Sequence, residues 1–350
     1  MNEHLAPVCP GPRSSLSSRI VTVLCLTALV LGCGSAGSSS SASAASAPTP
    51  NAYTTVYKAM SWGSTVTVSF PSACQMTLTT TGKPDYTPNA YYLAPANSGQ
   101  TVVAHTATTN MALMVISYAS VIAPTLRGSS ATVNICPTQA SSTTSTSLGA
   151  IGYLISGTAM FNPYEMDQAT PAVADNASYT FTDGSGAQQT AYFLDQCDSH
   201  SNGMTWHAHG NPNCVTSQVD SGNGPSHIIG IALDGFPIYG GRDINGNTVS
   251  VSQLDACNGI TSPTPEFPAG AYHYVLPIGV NTKNASINCY AGSVSGATMA
   301  QARKLACNMK TMFAMAPSAV PANTPGLPQR KQRTTTMAMR SDMSMPMGSM

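Results

Sequence analysis

Over residues 53–135 the apolar positions fall in short runs broken by polar clusters. Residues 65–70 (TVTVSF) alternate strictly, 112–121 (ALMVISYASV) are apolar and rich in β-branched side chains, and 131–135 (ATVNI) alternate again. A period of two puts successive side chains on opposite faces of a strand, and the intervening Gly, Pro, Asn and Thr suit turns. The pattern predicts an N-terminal β region over 53–136. Residues 137–148 (PTQASSTTSTSL) read as a polar loop. Only 296–316 has a helical composition, with Ala, Met, Lys and Leu and neither Gly nor Pro between Gly296 and Pro317. The Pro-rich and then Met-rich stretch 317–350 has little to bury and predicts a disordered tail.

Residues 149–292 contain an internal repeat. IGYLISGTAMF (151–161) matches IGIALDGFPIY (229–239). Leu194-Asp195-Gln196-Cys197 is answered by Leu254-Asp255-Ala256-Cys257, and Trp206-His207-Ala208-His209 by Tyr272-His273-Tyr274-Val275. Each copy ends on a later cysteine, Cys214 or Cys289. A fixed order of strand, turn glycine, L-D-x-C, aromatic-His and Cys indicates a duplicated unit, with half-repeats at 149–214 and 227–289. The expected fold is mainly β, with duplicated β units packed on one another in a sandwich-like core, one C-terminal helix and disordered termini. The repeat also suggests the cystines Cys197–Cys214 and Cys257–Cys289, each closing a loop around an aromatic-His strand. Cys74–Cys136 is the natural third pair, and Cys307 is left over.

The N-terminus reads as an address. Arg13 and Arg19 precede an apolar run of 13 residues, 20–32 (IVTVLCLTALVLG). That length fits the apolar core of a signal peptide and is too short to span a bilayer. The run ends Val30-Leu31-Gly32-Cys33, which resembles a bacterial lipobox. Residues 1–32 would then be a lipoprotein-type signal, Cys33 the lipidated residue, and the Ser/Ala-rich stretch 33–52 a tether. Cleavage near the alanines at 42–47 is the alternative. Export agrees with the cysteines, which pair in an oxidising compartment.

Charge excludes one class and divides the chain. Charged residues make up 8% of the sequence and the net charge is zero, so a nucleic-acid partner is not expected. Residues 51–300 hold 5 basic and 12 acidic residues, whereas 301–350 hold 7 basic and 1 acidic. An acidic body therefore carries a basic tail. The partners this implies are a membrane, reached through the lipid, and a protein partner that the sequence does not identify. The tail itself could rest on anionic lipid.

Candidate chemistry gathers on histidine. Five of the seven histidines, His200, His207, His209, His227 and His273, lie in the duplicated region. In a strand, residues two apart face the same side, so His207 and His209 form a chelating pair. Imidazole suits zinc, copper, iron and nickel. His273 stands at the equivalent place in the other half and would approach the same centre if the halves pack two-fold. Asp195 and Asp255 would hold ring N–H groups behind the ligands. In the tail, Met337, Met339, Met343, Met345 and Met347 are soft thioethers suited to Cu(I), or else low-complexity sequence without a ligand. DINGN (243–247) lacks the closing Glu of an EF-hand, since position 254 is Leu, and reads as a hairpin turn. No G-x-S-x-G, H-E-x-x-H or P-loop occurs.

DGFPIYG (234–240), the LDAC-N-G stretch (254–259), PTPEFPAGAYHYV (263–275) and Cys289 resemble the YHYH-domain family of secreted bacterial proteins, named for a Tyr-His-Tyr-His motif. The resemblance spans about 150–290 and implies a shared fold and export; it carries no activity. Here the motif reads Tyr272-His273-Tyr274, with Val275 in place of the last histidine. The expected function is an exported, lipid-anchored envelope protein with a non-enzymatic metal site, copper first and zinc second. The alternatives are an adhesion or scaffold module with structural histidines, and a hydrolase with His207 or His273 as general base.

Overall fold

The computed structural model describes residues 50–95, 103–104, 112–165 and 167–303. The signal segment, Cys33, nearly all of the tether, Cys307, the methionine-bearing tail and residues 304–316 of the expected helix lie outside the described residues. The fold is mainly β, with four sheets among the described residues. Strands β1 (Val66–Ser72), β2 (Gln75–Thr80) and β6 (Ser129–Asn134) form one sheet. Strands β3 (Tyr91–Pro95), β4 (Val103–Ala104), β5 (Ala112–Ser117), β10 (Ser178–Thr182) and β11 (Gln188–Tyr192) form a second.

The third sheet carries the candidate chemistry. It has eight strands: β8 (Ala150–Leu154), β9 (Ala159–Phe161), β12 (Ser199–Ser201), β13 (Trp206–Ala208), β14 (Ile228–Ala232), β15 (Pro237–Tyr239), β16 (Gly259–Ser262) and β17 (Ala271–Val275). Their order is β12-β13-β9-β8-β14-β15-β17-β16. Exchanging the two halves leaves this order unchanged, so the sheet has a pseudo-two-fold between β8 and β14. The two units lie edge to edge in one sheet rather than stacking on one another. The sandwich-like core forms instead against the three-stranded sheet: Met76, Leu78, Ala131 and Val133 share one buried cluster with Ile151, Tyr153, Ile229, Ile231 and Tyr274.

At the seam Tyr153 pairs with Ile231, flanked by the pairs Gly152–Ala232 and Leu154–Gly230. A Cβ on Gly152 would stand 2.7 Å from the Ile231 carbonyl oxygen, and one on Gly230 2.5 Å from that of Tyr153. Both distances are too short for any side chain, so the Ile-Gly dipeptide of each copy is what lets the backbones close. Beyond the seam each copy turns at a glycine in the left-handed region, Gly157 (φ 80°) or Gly235 (φ 90°). Each L-D-x-C segment then folds alike. Asp195 Oδ1 accepts from the N–H groups of Cys197 and Ser199, and Asp255 Oδ1 from those of Cys257 and Gly259. The following residues, Asp198 and Asn258, both adopt positive φ.

Three α-helices lie among the described residues. α1 (Pro50–Ala59) begins in the expected tether, where β-branched Thr54 and Thr55 obscure a helical stripe. Tyr53 and Tyr57 stand one turn apart, and Tyr53 meets Phe236 and Phe267. The Tyr57 hydroxyl donates to the Gly235 carbonyl. α2 (Asn213–Val219) carries Cys214, and α3 (Gly296–Arg303) is the described part of the expected C-terminal helix. The expected polar loop holds strand β7 (Gln139–Ser145), whose seven exposed residues hide its pairing with β18 (Cys289–Gly292). DINGN is a tight turn closed by Asp243, which accepts from the N–H groups of Asn245 and Asn247. A single bridge, Arg242 to Thr248, stands where hairpin strands were expected.

Disulfides join Cys74 to Cys136, Cys197 to Cys214 and Cys257 to Cys289. Replacing Cys257 and Cys289 together by alanine releases a loop of sequence separation 32. The expected loss is about 3–4 kcal/mol in the chain-entropy account. Urea unfolding under non-reducing conditions measures it; an unchanged midpoint would mean that the β7–β18 pairing alone holds this end of the chain.

Candidate metal centre

His200 lies directly across from His207 in the β12–β13 ladder, so both imidazoles leave the same face of the hairpin. His209 follows β13, and its backbone N–H donates to the Asp198 carbonyl, which extends the ladder by one pair and keeps its ring on the face of His207. Ring centroids are 4.6 Å apart for His200–His207, 5.2 Å for His200–His209 and 4.8 Å for His207–His209. One ring nitrogen from each of the three lies within 4.8 Å of the others.

Backbone carbonyls fix the tautomers. His207 Nδ1 lies 3.2 Å from the Thr205 carbonyl oxygen and His209 Nδ1 2.7 Å from that of Asn162. A carbonyl only accepts, so each Nδ1 carries the proton and each Nε2 keeps its lone pair. His209 Nε2 is 3.3 Å from His200 Nε2. Two nitrogens bound to one tetrahedral zinc at about 2.05 Å stand about 3.3 Å apart, so this spacing fits the edge of a metal tetrahedron. Phe161 stacks on His207 at 3.9 Å, and Phe193 meets His200 edge-on at 4.8 Å. His207 and His209 are buried and His200 is half-buried.

Burial tunes both rings toward the neutral form. It pushes His209 down to about 4, opposed by its carbonyl partner. It holds His207 well below the ordinary histidine value, with the neighbouring His200 and His209 adding to the effect. Neutral imidazole is the form that ligates a metal, so two of the three donors stand ready at neutral pH.

The other expected site residues lie elsewhere. His273 occupies the place of His207 in the second half and makes the same bond, Nδ1 to the Ala271 carbonyl at 2.9 Å. It does not reach the centre, because β13 and β17 are separated by five strand spacings, about 24 Å at 4.8 Å each. The ladder register places Ile260 where the first half has His200, and Val275 where it has His209. The second half thus keeps one histidine of three. His227 Nδ1 bonds to Glu266 Oε1 at 2.8 Å, and Tyr239, edge-on to His273, donates to Glu266 Oε2.

Asp195 and Asp255 do not support the histidines. Each commits Oδ1 to its own loop and takes a tyrosine hydroxyl on Oδ2, from Tyr92 and Tyr272 respectively. All three buried histidines direct Nδ1 to carbonyls, so the Asp–His arrangement of the hydrolase expectation is not formed. Sequence reasoning missed the carbonyls of Thr205 and Asn162 and the two phenylalanines. The near-symmetric hairpin between Ser199 and Ala208 was the available signal for His200. It also missed the buried pair Glu165–Asp175, in the segment after Asn162. Burial and the hydrogen bond to Asp175 raise Glu165 well above the carboxylate range.

The family model described as YHYH protein matches residues 130–251 of the chain. The three clustered histidines lie inside that match, and the Tyr272–Val275 tetrad lies beyond it. No curated protein and no solved structure matches the chain.

Burial of His209 and His273, each pushed down to about 4, links stability to pH. The unfolded rings protonate near 6.5, so the folded state is favoured in full above that value. The advantage falls away as pH drops toward 4, by about 3 kcal/mol for each ring. In metal-free protein, His273→Gln should lose about 2–3 kcal/mol less stability than the parent between pH 7.5 and 4.5, read by urea unfolding. Parallel pH profiles would contradict this.

Proposed function

We propose that this is an exported, lipid-anchored envelope protein that binds one zinc or copper ion through His200, His207 and His209. The observation that carries the proposal is the convergence of three ring nitrogens, with the Nδ1 atoms of two rings clamped by carbonyls so that their Nε2 atoms point inward. The tetrahedral edge of 3.3 Å favours zinc over a square-planar Cu(II) ion. The methionines that favour copper lie outside the described residues. Three disulfides support an oxidising, extracytoplasmic location, and Cys33 as the lipidated residue follows from the leader sequence. A scaffold role is the second reading. His273 favours it, because its ring is satisfied by a carbonyl with no histidine neighbour at the Ile260 and Val275 positions.

Metal analysis of tag-free protein tests the centre. The parent should hold one ion per chain. His207→Ala/His209→Ala should weaken binding by more than about 100-fold, beyond the loss from removing an outer partner of a ligand. His227→Ala/His273→Ala should leave stoichiometry and affinity unchanged. Equal binding by the parent and the first variant would remove these histidines from the proposal. A second measurement uses the copy: Ile260→His/Val275→His should raise the stoichiometry from one ion to two. A folded variant that still binds only one would show that the three-histidine pattern is insufficient by itself.

A further inference from the structure

Resting on that reading, we infer that the ion at this centre keeps a fourth coordination position that takes a small anion. Three facts point there. First, the group contains three histidines, and no fourth His, Cys, Asp or Glu donor joins it among the described residues. Zinc takes four ligands, and sites with three protein donors hold water or substrate in the fourth place.

Second, the donors bring no negative charge. His207 and His209 carry their protons on Nδ1 and bind as neutral imidazoles. Of the nearby carboxylates, Asp195 is spent on Cys197, Ser199 and Tyr92, and Asp198, two residues before His200, takes the Asn211 backbone N–H and is not a member of the three-histidine group. A divalent ion here would retain its full charge beside the rings of Phe161 and Phe193. In such surroundings an anion binds far better than in water, and a bound water readily becomes hydroxide.

Third, access is one-sided. His207 and His209 are buried, whereas His200 is half-buried and marks the side from which a ligand would enter. The ligand class is therefore a small anion presenting one donor atom: hydroxide, azide, thiocyanate, or the carboxylate of a larger molecule.

Cobalt(II) reports the coordination directly. Full-length protein loaded with one cobalt per chain is titrated with azide and, separately, with thiocyanate, while the visible d–d absorption is recorded. The expected result is a saturable spectral change at one anion per cobalt, absent in His207→Ala/His209→Ala. A protein that binds one cobalt but shows no change at saturating anion overturns the inference and leaves the metal centre standing. A protein that binds no cobalt, zinc or copper overturns both. If only a full-length variant with Met337, Met339, Met343, Met345 and Met347 changed to leucine responds to anion, the tail fills the fourth position, and the inference is again overturned.

Discussion

The β8–β14 pairing is the contact on which the rest of the sheet depends. It joins two copies of one unit through a backbone approach that only Gly152 and Gly230 allow. Once that pair is set, each copy runs outward through a glycine turn, a parallel partner and a final hairpin. The hairpins therefore lie on opposite flanks, β12–β13 on one and β16–β17 on the other. The main core forms where this sheet meets β2 and β6, with α1 closing over Phe236 and Phe267. The seam thus decides that any histidine chemistry is local to one hairpin and never shared between copies.

Within the first hairpin the chemistry follows from register. A ladder that pairs His200 with His207 gathers two rings on one face, and His209, two residues beyond His207, adds the third. Carbonyls do the rest. They demand a proton on Nδ1 of His207 and His209 and so leave Nε2 as a bare lone pair. Burying a neutral ring costs little beside burying a cation, so the same packing that stabilises the fold also prepares the ligand form. The aspartates of the L-D-x-C segments serve their own loops and a tyrosine hydroxyl each, not the imidazoles.

Much of this was legible in the residue order. The repeated Ile-Gly, L-D-x-C and aromatic-His segments displayed the duplication, and with it the cystine pairs Cys197–Cys214 and Cys257–Cys289. The relation between the copies was not legible. Edge-to-edge pairing and face-to-face packing demand the same apolar strands, and only the close approach at Gly152 and Gly230 separates them. That ambiguity is why His273 was expected at the centre. Helix α1 was hidden by its threonines, and β7 by the exposure of every side chain in it. His200 was named among the candidate ligands, and the Asn202-Gly203 turn that sets it opposite His207 was legible but not used to pair the two.

The duplication also works as an internal substitution experiment. Where the two halves agree, the residue serves the architecture: the seam glycines, the turn glycines, the loop aspartates, and the imidazole tied to a carbonyl two positions back. Where they differ, the architecture has already been shown to do without. Ile260 and Val275 occupy the places of His200 and His209 in a hairpin that keeps the same ladder. The ladder of this hairpin therefore does not itself call for histidine at those two positions.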